Sequence, residues 1–213
     1  MTRETFDPGC RRCTRLADFL DQVKAQHPDY FCRPVPAFGA VEPGLLVVGL
    51  APGMHGANAT GRPFTGDYAG ILLYRTLHRF GFASAPESRA GDDLQLHDCR
   101  ITNAVKCLPP QNKPVGGEIN TCRDFLAGEL AGFDDGGVVV ALGSIAHKSV
   151  VAGFGVAQKH APFGHAAEHA MPRGVTLLDS YHCSRYNTQT RRLTEEMFAA
   201  VFARARALLD ARR

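Results

Sequence analysis

Four short apolar runs punctuate the chain, at residues 45–50, 99–105, 138–142 and 175–178. Each carries β-branched residues and lies beside or close to Gly, Pro or Asp, as buried strands do. Between the runs the apolar spacing changes to three and four residues, the period of a helix with one buried face. Within 68–80 it falls on Leu72, Leu73, Leu77 and Phe80, and within 118–130 on Ile119, Cys122, Leu126 and Leu130. A shorter helix is predicted over 144–151 and another over 14–26. A last one is predicted over 190–209, where Leu193, Met197, Val201 and Leu208 keep the spacing and Phe198 and Phe202 widen the face. Alternating strands and helices predict an α/β fold: a single domain over 1–213 with a central four-stranded, mainly parallel sheet flanked by helices on both faces. Ligands of such sheets bind beyond the carboxyl ends of the strands. The segments to inspect are therefore 51–67, 103–116, 143–147 and 179–189.

Residues 49–67 read GLAPGMHGANATGRPFTGD, with five glycines and two prolines in nineteen positions. Glycine admits positive φ and close approach of a ligand to the backbone. The loop lacks the Gly-Lys-Ser/Thr of a phosphate-binding loop and the G-x-G-x-x-G of a dinucleotide site. It holds one aromatic (Phe64), one acid (Asp67) and one histidine (His55), which suits a pocket for a flat polar group. Phe64 is placed equally well as a core cap or as a ring that stacks on a base. Asn103, at the end of the second strand, offers a donor and an acceptor to one edge of a base, or caps a turn. The segment SYHCSRYNTQT at 180–190 gathers His182, Ser184, Arg185 and Asn187 ahead of the last helix.

These three segments together resemble the type-5, or family B, uracil-DNA glycosylases. GLAPGMHGANATGRPFTGDYAG is similar to their first motif, with the apolar Leu50 standing where the type-4 iron–sulfur enzymes carry an acid. The stretch from Asn103 to Cys107 resembles the family's base-reading Asn followed by a cluster Cys, and SYHxSRxNTxT is distinctive of type 5. The resemblance runs from Cys10 to about Leu193. It implies a monofunctional hydrolase that flips uracil out of DNA and excises it in base excision repair, with activity in the family often extending to hypoxanthine and xanthine. By the same likeness the catalytic residues are Asp67, His182 and Asn103. Phe64, Asn103, Gly49, Ala51 and His55 would hold the base, and Ser184, Arg185 and Asn187 the DNA phosphates. Two positions depart from the family pattern: Cys183 replaces a usual proline, and Arg191 a small residue. Of the two acids in the inspected segments, Asp67 is assigned to the sugar and Asp179 to a structural turn. Lys106 is assigned to structure or to DNA contact rather than to Schiff-base chemistry.

Seven cysteines are present. Cys10-Arg-Arg-Cys13 is a C-x-x-C pair, and Cys107 and Cys122 lie farther on. Four thiolates suit either a zinc site or a 4Fe–4S cluster, and spacing does not choose. The family resemblance implies the 4Fe–4S cluster, tying the N-terminal segment 1–35 to the rest. Cys99 is expected in the core, and Cys32 is a substitute ligand at most.

Composition narrows this picture little. Of 213 residues 45% are apolar and 21% charged, and the net charge is +3. Such mild basicity permits a nucleic-acid partner without requiring one. Arg11, Arg12 and Arg15 cluster near the start and Arg204, Arg206, Arg212 and Arg213 near the end; both clusters read as solvated helix faces. No stretch approaches the roughly 20 apolar residues of a membrane span, and the opening MTRET has no apolar signal core. The expectation is a cytoplasmic monomer that acts on double- and single-stranded DNA bearing uracil or other deaminated bases, with no membrane partner. Two rivals remain at this stage: a non-catalytic nucleic-acid-binding protein with a structural metal, and a hydrolase built on Ser144, which lacks the G-x-S-x-G elbow.

Overall fold

The computed structural model describes residues 6–133 and 136–212. Arg213 of the C-terminal basic cluster, and the N-terminal stretch 1–5, lie outside the described residues.

The chain runs α1 (Thr14–Gln26), β1 (Phe38–Gly39), β2 (Leu45–Gly49), α2 (Ala57–Thr60), α3 (Tyr68–Arg79), β3 (Cys99–Asn103), α4 (Gly116–Leu130), β4 (Val138–Leu142), α5 (Ser144–Gly153), β5 (Glu168–Ala170), β6 (Thr176–Ser180), α6 (Arg185–Gln189) and α7 (Glu195–Asp210). The sheet order is β1-β3-β2-β4-β6-β5. The four expected strands form its parallel centre. Two short antiparallel edge strands, β1 and β5, extend it to six. At two and three residues, with intermediate or exposed side chains, they carry no apolar period for sequence reading to detect.

Successive residues of a strand face opposite sides of a sheet. Leu45 and Val47 of β2, with Val138 and Val140 of β4, pack beneath α3 and α7 against Leu73, Leu77, Phe198 and Phe202. Leu46 and Val48, with Val139 and Ala141, pack on the other side against Leu126 of α4 and Val150 and Val151 of α5. That two-sided burial explains why these strands read as continuous apolar runs.

The helix expected over 190–209 starts five residues late, at Glu195. α6 ends at Gln189, Arg191 takes a left-handed φ of 56°, and α7 starts afresh at Glu195. Thr194 caps α7 by accepting a hydrogen bond from the Met197 amide at 3.2 Å, and Glu195 and Glu196 fill its first turn. A good N-cap with acids behind it starts a helix and so breaks the longer pattern.

The basic clusters are engaged in ion pairs. Arg11 pairs with Asp21, Arg12 with Asp124, and Arg15 with Glu118, joining α1 to α4 in the last two cases. Arg204 pairs with Glu168 and Arg206 with Asp210. No helix among the described residues is long and apolar enough to cross a membrane.

Candidate active site

The parallel strands β2, β3 and β6 end on one side of the sheet, and the segments after them enclose a cavity of about 350 Å³. Phe64, Asp67, Asn103, His182, Ser184 and Arg185 all line it, as do Leu50 and Ala51. The sequence thus brings its three distant motifs to one place because neighbouring parallel strands deliver their following loops to the same sheet end.

Glycines set the geometry. A Cβ on Gly49 would lie 2.4 Å from Asn103 Oδ1 and 2.6 Å from Phe64 Cζ. Only a bare backbone lets the ring and the carboxamide close over this strand end. Phe64 itself has φ 58°, a conformation costing a non-glycine residue roughly 1–3 kcal/mol. Its carbonyl lies where a Cβ of Gly70 would be, 1.8 Å from that point. The fully buried Tyr74 donates to Pro63 O at 2.7 Å and braces the turn from below. The Phe64 ring faces the His182 ring at 6.2 Å between centroids, 27° from parallel. Gly49→Ala is expected to disrupt this pairing, costing about 1–3 kcal/mol of stability through overpacking. Turnover should fall more than DNA affinity; a thermal melt alongside single-turnover kinetics checks both.

Asp67 occupies the N-cap position of α3 but does not cap that helix with its side chain. Its carboxylate points back into the glycine loop: a Cβ on Gly56 would lie 2.0 Å from Asp67 Cγ, and one on Gly53 2.6 Å from Oδ1. Desolvation in this cradle raises Asp67 above the usual carboxylate range, against the opposing pull of the Ala57 amide and of His55. His182, half-buried, is pushed down to about 4 by desolvation. It is a neutral imidazole at physiological pH. Neither the His182 ring nor the Asn103 carboxamide hydrogen-bonds to any described residue, so both face the cavity with their polar atoms open.

Other expected site residues fall elsewhere. His55 is exposed, does not line the cavity, and binds the Tyr30 hydroxyl through Nδ1 at 2.8 Å. It acts on the site only through its charge near Asp67. Asn187 holds the loop together: its Nδ2 donates to His182 O at 2.8 Å, and its amide to Ser184 Oγ at 3.4 Å. Gly49 stands behind Phe64 and Asn103 rather than on the cavity wall. Asp179, expected in a turn, is fully buried inside β6 and bonded to His147. Lys106 is also buried, and its Nζ meets Glu129 Oε1 at 2.6 Å and the Thr102 hydroxyl. That placement removes it from DNA contact and leaves the structural role.

Sequence reading passed over Tyr68 and Asn112, both on the cavity wall. Tyr68 lies under the Arg185 guanidinium, 4.8 Å from its ring centre. Asn112 reaches the site through a left-handed pair, Gln111 and Asn112. The signal was available in part, since Asn tolerates positive φ.

Cys10, Cys13, Cys107 and Cys122 line one small cavity with Leu16, Val105 and Phe125. Burial, reinforced by the neighbouring thiols, pushes Cys107 up to about 12. The Lys106 amide donates to Cys122 Sγ at 3.2 Å. Among the described residues no three of these sulfurs lie within 4.8 Å of one another. These four thiols are the residues that would hold a metal ion or an iron–sulfur cluster. Cys32 accepts from Asn58 Nδ2 at 3.4 Å and lies outside this cavity, and Cys99 is a core thiol of β3.

The model of the "Uracil DNA glycosylase superfamily" matches residues 36–206, a span that holds every residue lining the cavity at the strand ends. The chain belongs to this superfamily, in its type-5 branch. It is 46% identical to the type-5 uracil-DNA glycosylase of Thermus thermophilus, across 98% of this chain and 99% of that one. With the type-5 enzyme of Mycobacterium leprae it shares 42% identity over 93% and 91% of the two chains. A type-4 enzyme of Pyrobaculum aerophilum is similar over a shorter span, at 37% identity across 55% of this chain and 53% of the relative. Membership makes the protein a glycosylase, a hydrolase of N-glycosidic bonds with DNA as its substrate. A glycosylase is neither of the rival readings, the non-catalytic binding protein or the serine hydrolase. Ser144 starts α5.

Proposed function

We propose that this glycosylase is monofunctional, excises uracil from DNA in base excision repair, and does so with Phe64, Asn103, His182 and Asp67. The observation that carries this is their convergence on one cavity of about 350 Å³, within the usual range for small-ligand sites. The target nucleotide leaves the stack to enter it. The Phe64 ring stacks on the base. The Asn103 carboxamide accepts from N3–H of uracil and donates to O4, a pattern that cytosine reverses. As the N-glycosidic bond lengthens, negative charge gathers on the departing base. His182, already neutral, donates a hydrogen bond to O2 and stabilises that anion without first giving up a proton. Asp67 faces the sugar, stabilises its positive charge and orients the attacking water. Ser184 and Arg185, at the rim, hold the flanking phosphates.

Deaminated purines form the second reading. Ala51, Gly53 and Ala57 are small wall residues, with no bulky side chain among them to exclude a second ring. Hypoxanthine and xanthine present the same N–H and carbonyl edge to Asn103.

The four cysteines hold a 4Fe–4S cluster in this proposal. When bound, the cluster supplies a structural crosslink between the N-terminal segment 1–35 and the rest of a single domain, 1–213. Bond hydrolysis needs no electron from it. On this reading the protein is a monomer acting in the cytoplasm on uracil in double- or single-stranded DNA.

Base release from duplexes and single strands bearing uracil, hypoxanthine or xanthine tests the proposal. Uracil should be released fastest, the purines more slowly, and borohydride should trap no covalent complex. Binding of uracil-containing DNA without release of the base would refute it.

A further inference from the structure

Behind the catalytic loop lies a buried polar cluster that the mechanism above does not use. His147 of α5 is 1% exposed and Asp179 of β6 is 0% exposed. His147 Nδ1 lies 2.7 Å from Asp179 Oδ1, and its Nε2 lies 2.8 Å from the Ala161 carbonyl oxygen. A carbonyl oxygen only accepts, so Nε2 must carry a hydrogen. The contact at Nδ1 then needs a proton as well, because an unprotonated ring nitrogen and a carboxylate oxygen repel at that distance. The second proton belongs to the ring. Asp179 Oδ2 also receives the Gly164 amide at 3.4 Å and lies 3.3 Å from His169 Nε2 of β5; a backbone donor of this kind favours the charged carboxylate.

We propose that His147 is an imidazolium donating from both nitrogens, locked to the Asp179 carboxylate, and that this pair is a positioning device for the His182 loop. The connection is short. Asp179 stands three residues before His182, and the first turn of α5 begins at Gly143. The His147 amide donates to Gly143 O at 3.0 Å, and the Gly143 amide donates to Ser180 O at 2.8 Å. Gly143, at φ 95°, packs directly on His182, whose Cβ would be 3.4 Å from a Cβ placed there. The ion pair therefore fixes α5 against the end of β6 where the two clasp the base of the catalytic loop. A partner removed from a buried pair leaves an uncompensated charge, so the pair holds its register strongly.

These side chains are also arranged as a metal site would be, with ligand atoms within 4.8 Å of one another. The 2.7 Å contact decides for a proton. Two ligands on one tetrahedral ion with bonds of about 2.0 Å sit roughly 3.3 Å apart.

Long-range proton–nitrogen NMR of the intact protein reads the ring directly. Both nitrogens of His147 are expected to bear protons in the folded protein; one bare nitrogen would overturn the proposal, whatever any variant does. The positioning role rests on the function proposed above for His182. Asp179→Asn and His147→Gln should each lower the single-turnover excision rate by about 10- to 100-fold with KM little changed, the scale of a small misplacement near the reacting atoms. The double variant should be no slower than either single. Full rates in both singles, a loss confined to KM, or one divalent ion per chain that disappears with Asp179→Asn would each refute it. His182→Ala, run alongside, separates the two ideas: a full rate there removes the role given to His182, while the ring spectrum still decides the pair.

Discussion

Asp67→Asn is expected to slow single-turnover excision of uracil by about 10³-fold while leaving DNA affinity nearly unchanged, because one positioned carboxylate does the work of charge stabilisation and water orientation. The same substitution should make the protein more stable. Desolvation raises Asp67, so the folded state keeps this proton to a higher pH than the unfolded chain does. Stability is lost as pH rises from the ordinary carboxylate range through the raised value, and the penalty is in full force above it. Asn carries no charge and removes it. A higher melting temperature beside a collapsed rate is the signature of a group strained for function; a lower melting temperature would instead mark Asp67 as part of the scaffold. The pH profile follows from the same residue. Excision needs the carboxylate, so the rate should fall with acid from a midpoint above that of a free aspartate. His182 stays neutral until about 4 and adds no limb near the usual histidine range. Rates between pH 4 and pH 8 for the unaltered protein and for Asp67→Asn check this, since the acid limb should vanish in the variant.

Cys107→Ser is expected to cost more than about 4 kcal/mol of stability, as loss of a structural metal group does, together with the brown colour and visible absorption of a 4Fe–4S cluster. Cys10 and Cys13 enter the small cavity from the N-terminal segment, Cys107 from the loop after β3, and Cys122 from α4. Without a bound group, one buried and three half-buried thiols remain, and α1 is held chiefly by Leu16, the Arg12–Asp124 and Arg15–Glu118 pairs, and the Arg12 guanidinium 4.5 Å from the Phe125 ring centre. Excision should fall too, because the segment from Asn103 to Asn112 lines the base cavity at both ends and passes through Cys107. Thermal melts and visible spectra of anaerobically purified protein check the pair of effects. A colourless protein with one zinc per chain and an unchanged melting temperature in the variant would refute the cluster.

The parallel centre of the sheet and the long helices were legible because their signals are local. The all-apolar runs at 45–50 and 138–142 announce strands buried on both faces, and the spacing of Leu72, Leu73 and Leu77 announces the helix that covers them. The edge strands β1 and β5 were not legible, since two or three residues held by a neighbour's backbone need no pattern of their own. The late start of α7 was hidden because Leu193 keeps helical phase with Met197 and Val201, and only the left-handed backbone at Arg191 marks the stretch before it as non-helical. Motif and position pointed to Phe64, Asp67, Asn103 and His182, and all four line one cavity. His55 lies off that cavity, since nothing in a glycine-rich stretch says which way an exposed side chain turns. Asn187 carries the polarity of a phosphate ligand, but its amide is taken up by its own loop.

By itself the chain's order of residues determined that an α/β fold would form, that the chemistry would sit after its parallel strands, and which side-chain types were on hand for it. It did so because apolar period and loop composition act over a few neighbours. Tertiary structure alone decided which of those side chains meet. Gly49 has meaning only because Phe64 and Asn103 converge on it, Asp67 is raised only because Gly53 and Gly56 enclose it, and His147 finds Asp179 across 32 residues of chain. Contacts of that range depend on the packing of whole elements, and no local pattern encodes them.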